Sequence, residues 1–125
     1  MTKSILLAED DRFLRRACET KLKQCGFDVR VAVDGEEALT LARQEAPDLL
    51  LLDLLMPKRD GLSVLQALKA DEATRGIPVV ILSNSSKELE MHGASTLGAV
   101  DYWIKSNLSL QELCDRVQQL LGDKK

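Results

Sequence analysis

Leu49-Leu50-Leu51-Leu52-Asp53 is the stretch that decides how this chain folds: an almost wholly apolar run, closed by a carboxylate, that reads as a strand covered on both faces. Working outward, comparable short runs rich in Val, Ile and Leu occur at Ser4 to Ala8, Asp28 to Val33, Pro78 to Leu82 and Val100 to Ile104. Between them lie longer stretches whose apolar residues recur at helical spacing. Leu14, Ala17, Cys18, Lys21, Leu22 and Cys25 trace one helix face, Ala38, Leu39 and Ala42 a second, and Leu62, Leu65 and Leu68 a third. The last helix has the clearest stripe, Leu110, Leu113, Cys114, Val117, Leu120 and Leu121, with a capping box from Ser109 and Glu112 at its start. Asp34 and Glu37 are expected to do the same for the second helix. From Ser86 to Leu97 the period is diluted by Gly93, Ser95 and Thr96, which predicts a short, mobile fourth helix. Five repeats of strand then helix, joined by right-handed crossovers, predict an α/β fold with a doubly wound sheet of five parallel strands.

The chain has 125 residues, 45% of them hydrophobic and 30% charged, which excludes disordered and collagen-like classes. A chain of this length hides roughly two thirds of its surface on folding. Residues 1–125 are therefore expected to form one domain, with no linker, repeat array or low-complexity tract. Lys and Arg number 17 against 20 Asp and Glu, a net charge of −3 spread along the sequence, so no direct nucleic-acid partner is expected. The longest apolar stretch, Ile77 to Leu82, falls far short of the ~20 residues of a membrane helix. The start runs straight into a strand without the features of a signal peptide. No membrane partner and a cytoplasmic location are the expectation. The 3 cysteines, Cys18, Cys25 and Cys114, are odd in number and lack C-x-x-C spacing, so reduced thiols are expected.

In an open α/β sheet the ligand site lies beyond the carboxyl ends of the strands, where the strand order reverses. Glu9, Asp10 and Asp11 follow the first strand and Asp53 closes the third, so neighbouring strands would bring several carboxylates together. Like charges that close need a cation. Oxygen ligands with no His or Cys beside them suit Mg²⁺ better than zinc or copper. A metal so held can bridge a carboxylate nucleophile and an incoming phosphoryl group, leaving an aspartyl phosphate. Ser83 after the fourth strand can add a hydroxyl, and Lys105 after the fifth a cation.

The stretches Leu6-Leu7-Ala8-Glu9-Asp10-Asp11, Leu52-Asp53-Leu54-Leu55-Met56-Pro57-Lys58-Arg59-Asp60-Gly61, Ile81-Leu82-Ser83 and Asp101-Tyr102-Trp103-Ile104-Lys105 together resemble the CheY-like receiver domain of two-component response regulators. The resemblance spans essentially the whole chain. It implies a flavodoxin-like (βα)5 fold with strand order 2-1-3-4-5, and a stand-alone signalling module whose only chemistry is its own phosphorylation and dephosphorylation. It implies that Asp53 accepts a phosphoryl group from a sensor histidine kinase or phosphotransfer protein. It further implies that Glu9 and Asp10 form the acid pocket, with Asp10, Asp53 and the backbone carbonyl of Leu55 ligating Mg²⁺. Ser83 would turn towards the phosphoryl group, Lys105 would pair with it, and Tyr102 would change rotamer. That reshapes the surface around the fourth helix, fifth strand and fifth helix for a downstream protein target, as a monomer or a phosphorylation-dependent dimer. An aspartyl phosphate adds about −1.5 to −2 charge, enough to bias such a two-state element.

The chain departs from the family at Ser106, where receivers usually carry a proline in a cis peptide. Asn84 stands where Ala or Ser is frequent. Leu55 and Ser85 occupy the two positions that tune dephosphorylation, and an apolar Leu55 cannot orient an attacking water, which predicts slow loss of phosphate. Asp60-Gly61 reads as turn chemistry, Gly permitting a positive φ. Tyr102 and Trp103 point to opposite faces by strand alternation, and His92 stands isolated in a polar stretch. Other readings of the fold meet objections in the residues. A flavin or nucleotide carrier would need a Gly-rich or hydroxyl-rich cradle where Glu9-Asp10-Asp11 stands. A phosphatase acting on a diffusible substrate would need an acid where Leu54 and Leu55 flank Asp53. A receiver that binds partners without phosphorylation stays open through Ser106.

Overall fold

The computed structural model of the chain describes residues 2–84 and 88–122. In chain order the elements are β1 (Ser4–Ala8), α1 (Arg12–Gln24), β2 (Asp28–Ala32), α2 (Gly35–Gln44), β3 (Leu49–Asp53), α3 (Gly61–Ala70), β4 (Val79–Ser83), α4 (Glu88–Thr96), β5 (Asp101–Ile104) and α5 (Leu110–Leu121), with a 3-10 turn at Lys105–Asn107. All five strands are parallel, in the order β2-β1-β3-β4-β5. The expected strands are all present, with ends moved by one residue at β2, β4 and β5. Pro78 falls outside β4 because it has no N–H for the ladder, although its carbonyl still accepts from Leu50 N–H at 3.0 Å. The expected start of the fourth helix at Ser86 lies outside the described residues.

Period-two alternation divides the strand side chains between two cores. Leu6, Leu50, Leu52 and Ile81 face α2 and α3, meeting Leu39, Ala42, Leu65 and Leu68. Ile5, Leu7, Leu49 and Leu51 face the other way, against Cys18 and Leu22 of α1 and Leu113 and Val117 of α5. Leu49, Leu50, Leu51 and Leu52 are each 0% exposed. Burying a leucine that fully stabilises by about 1.5–3 kcal/mol, so β3 is the element around which both layers close. The α5 stripe is narrower than its sequence suggests: Leu113, Cys114 and Val117 are buried, whereas Leu110 and Leu120 are each 39% exposed.

The helix starts follow local chemistry. Ser109 and Glu112 form the expected capping box on α5. On α2, Asp34 accepts from Glu37 N–H at 2.8 Å, but the Glu37 carboxylate returns to Val33 N–H, also at 2.8 Å, one residue earlier than a capping box requires. Asp60 caps α3 through Ser63 N–H at 2.8 Å. On β5 the alternation holds: Trp103 packs into the α1/α5 core and Tyr102 against the α2/α3 core. The Trp103 indole N–H donates to Asp101 Oδ2 at 2.9 Å, and the Arg116 guanidinium lies 5.7 Å from the ring centre.

Two expectations are corrected. Cys25 and Cys114 are joined as a disulfide across a sequence separation of 89, leaving Cys18 as a buried thiol. Cys25 ends α1 and Cys114 sits on α5, and those two helices share one face of the sheet. Spacing along the chain does not register that meeting. Gly61 does not adopt a positive φ; in the loop after β3 it is Lys58 that does, at 67°. Among the described residues no helix is long and apolar enough to cross a membrane.

Candidate functional site

Parallel strands deliver their carboxyl ends to one edge of the sheet, and β1 has β2 on one side and β3 on the other, so the switch point lies between β1 and β3. Ala8 is level with Leu52, and Glu9 and Asp53 therefore leave neighbouring strands side by side. Ser83 is level with Ile104, which brings Lys105 to the same edge. Glu9, Asp10 and Asp53 present carboxylate oxygens within 4.8 Å of one another. Together with Leu55, Ser83 and Lys105 they line a cleft of about 460 Å³, shared with Asp11 and Asn84.

Lys105 is the cationic centre. Its Nζ lies 2.6 Å from Glu9 Oε1 and 3.2 Å from Asp53 Oδ2. The peptide into Ser106 is trans, and the 3-10 turn that follows still lets the ammonium reach both carboxylates. Burial draws the Lys105 pKa down, but hydrogen bonding to Glu9 and the charges of Asp53 and Glu9 outweigh it and raise the pKa above the ordinary lysine value. Burial, followed by the Glu9 charge, pushes Asp53 up to about 7 against the pull of Lys105. Burial likewise pushes the neighbouring Cys18 thiol up to about 11.

The acidic turn is built locally. Asp11 caps α1 through Oδ1, which accepts from Phe13 and Leu14 N–H at 3.0 and 3.1 Å, and it lies outside the carboxylate trio. Glu9 Oε2 accepts from Asp11 N–H at 3.0 Å. Arg15, one turn into α1, donates to the Glu9 and Asp10 carbonyls at 2.9 and 3.3 Å and holds the turn from behind. Sequence reasoning passed over Arg15, whose one signal is an arginine in the first turn of the helix after the acids. Gly61 is needed for close approach: a Cβ there would sit 2.4 Å from the Asp53 carbonyl oxygen, while its N–H donates to Leu54 O at 2.8 Å.

The donor set fits a hard divalent cation. Among the described residues three carboxylates face one ammonium, so the cluster keeps surplus negative charge. Glu9 Oε1 is buried, with the Lys105 ammonium 2.6 Å away as its ion-pair partner. Three carboxylates whose oxygens lie within 4.8 Å of one another, with no nitrogen or sulfur donor in the group, suit Mg²⁺.

The expected site residues Glu9, Asp10, Asp53, Leu55, Ser83 and Lys105 thus share one cleft. Tyr102 does not; it lines a separate hollow with Met91, Ala94 and Val100. Ser85 lies outside the described residues.

Comparison with known proteins agrees with this geometry. The family model for the response regulator receiver domain matches residues 5–118. The probable transcriptional regulator ycf27 of Cyanophora paradoxa is 40% identical over 95% of this chain and 48% of its own length. The chain spans about half the length of the curated relatives it matches. Among solved structures, the receiver domain of Francisella response regulator 1452 superposes with a TM-score of 0.88 at 33% identity, covering 97% of this chain and 98% of that one. The receiver domain of the sensor histidine kinase PA1611 from Pseudomonas aeruginosa PAO1, with a magnesium ion coordinated in its active-site cleft, gives 0.87 at 27% identity over 98% and 100%. With its sheet order, its acidic cleft and the family match all in agreement, the chain belongs to the response regulator receiver domains of two-component signalling.

Proposed function

We propose that Asp53 takes a phosphoryl group from the phosphohistidine of a sensor histidine kinase or phosphotransfer protein in the cytoplasm. The observation that carries this reading is the Asp53 carboxylate itself, 5% exposed yet lining an open acidic cleft, 3.2 Å from the Lys105 ammonium. A carboxylate oxygen attacks phosphorus and the donor's phosphorus–nitrogen bond breaks. The electron pair leaves with the imidazole, which takes up a proton from solvent, and an aspartyl phosphate remains. Lys105, already anchored between Glu9 and Asp53, meets the developing charge on the phosphoryl oxygens without having to be recruited. Asp10, Asp53 and the Leu55 carbonyl oxygen would hold Mg²⁺, which when bound neutralises charge on the transferring group. Phe13, 82% exposed in the first turn of α1, and Leu55, 68% exposed, offer apolar surface to the donor.

Ser83, buried at the end of β4, supplies the hydroxyl that turns towards the new phosphate. Tyr102, half-buried on β5, carries the change to the α4-β5-α5 surface, where a downstream protein binds, either to the monomer or to a phosphorylation-dependent dimer. The curated relative is named as a transcriptional regulator, so the expectation that nucleic acid plays no part draws no support from it. With Lys105 reaching Asp53 across a trans peptide, no observation favours a receiver that works without phosphorylation.

The test is intact mass after incubation with a small phosphodonor, with and without Mg²⁺, beside Asp53→Asn. One Mg²⁺-dependent phosphoryl adduct, lost in the variant, is the expected result. An unmodified wild type, or an adduct that survives in Asp53→Asn, overturns the reading.

A further inference from the structure

We propose that the start of α2 is a positioning element for the metal site, holding the loop after β3 through Lys58 and Asp34. The inference rests on the reading of Leu55 as the carbonyl ligand of Mg²⁺. That carbonyl belongs to the loop of residues 54–60, and a ligand there is only as well placed as the loop.

Three contacts tie the loop to the start of α2, and the two backbones abut there. Lys58 Nζ lies 3.7 Å from Asp34 Oδ2, and Arg59 Nη1 lies 3.9 Å from Glu36 Oε2. Gly35 N–H points at the Pro57 carbonyl at 3.5 Å. A Cβ on Gly35 would sit 2.0 Å from the Arg59 carbonyl oxygen, so the loop backbone rests directly on the first residue of the helix. The loop is braced within itself as well, Arg59 N–H donating to Pro57 O at 2.7 Å and Arg59 Nε to Ser63 Oγ at 2.9 Å.

Two features mark Lys58 as placed rather than incidental. Among the described residues it is the one non-glycine residue with a positive φ, 67°, a conformation that costs an L residue of order 1 kcal/mol or more. Its partner Asp34 is 7% exposed, with Oδ1 committed to Glu37 N–H at 2.8 Å and Oδ2 left for the ammonium. The helix cap and the loop tether are thus two oxygens of one carboxylate. Lys58 and Asp34 act through Leu55 and are positioning residues.

The sign of the effect separates this role from simple electrostatics. Removing the Lys58 charge leaves one cation fewer on a chain that must bind another, which by Coulomb's law alone leaves Mg²⁺ binding unchanged or tighter. Loss of a tether weakens it. Lys58→Gly is the informative variant, because glycine adopts the positive φ without strain and removes the charge. For a pair this exposed, 68% at the lysine side chain, the expected weakening is roughly two- to fivefold in the Mg²⁺ dissociation constant.

The experiment is calorimetric titration of the phosphate-free protein with Mg²⁺ alone, across wild type, Lys58→Gly, Lys58→Arg, Asp34→Asn and the Lys58→Gly/Asp34→Asn double variant. Lys58→Gly is expected to bind Mg²⁺ more weakly, Lys58→Arg like wild type, and the double variant no more weakly than Asp34→Asn. Asparagine keeps the helix cap, so urea unfolding without metal is expected to stay close to wild type in Asp34→Asn. Unchanged or tighter binding in Lys58→Gly, with wild type binding normally, overturns the tether and leaves the phosphoacceptor reading standing. A wild type that takes up no Mg²⁺ overturns both.

Discussion

In the folded chain burial, then the Glu9 charge, raises the Asp53 pKa from 3.8 to about 7, so between those values the folded state holds more protons than the unfolded one. Stability therefore falls as pH rises across that window. Without Mg²⁺ the protein should melt at a higher temperature near about pH 5 than near about pH 8, and Asp53→Asn should flatten that dependence. Calorimetry at the two pH values checks both. Leu55, 68% exposed in the same cleft, sets a kinetic property: Leu55→Asn should speed loss of the aspartyl phosphate by giving an attacking water a polar group to lean on, as phosphate release over time will show. Glu9, Asp10, Asp53, Ser83 and Lys105 were legible in the sequence because each closes or follows a short apolar run, and strand ends can be read locally, whereas Leu55 entered through the family resemblance. Arg15, Lys58 and the close approach at Gly61 were not, because each depends on the path of a turn: Arg15 reaches back to the Glu9 carbonyl, Lys58 meets the Asp34 carboxylate, and Gly61 abuts the Asp53 carbonyl.

Elements show the same division. The strands were placed to within a residue at each end, most firmly where near-continuous apolar runs in β1, β3 and β4 leave little choice, and the α5 cap followed from Ser109 and Glu112. The Cys25–Cys114 bond was missed because a period counts neighbours along one helix and is blind to the helix beside it. Its consequence is measurable. Closing so long a loop restricts the unfolded chain, and opening the bond with a thiol reductant should lower stability by about 2–4 kcal/mol. Urea unfolding with and without reductant gives the difference, and Cys114→Ala should lose the response to reductant. In the reduced protein the Cys114 sulfur, 3.6 Å from the Lys21 carbonyl, has an acceptor waiting for its S–H.

At the scale of the whole molecule, two cores and one sheet edge divide the labour. The cores hold five strands in a fixed order, and that order alone gathers groups from β1, β3, β4 and β5 at the switch point. A ligand that binds the assembled site and not the unfolded chain must stabilise the fold. Mg²⁺ at one hundred times its dissociation constant should raise the unfolding free energy by about 2.7 kcal/mol. Thermal unfolding with and without the ion tests this, and Asp10→Asn should shrink the gain.

Trp103 is the chain's 1 tryptophan, pinned by Asp101 below its indole N–H and by Arg116 over its ring. The molecule consequently carries its own optical reporter at the β5–α5 edge. Any change in its emission comes from a single address, so rearrangement of that edge can be followed in real time without attaching a label.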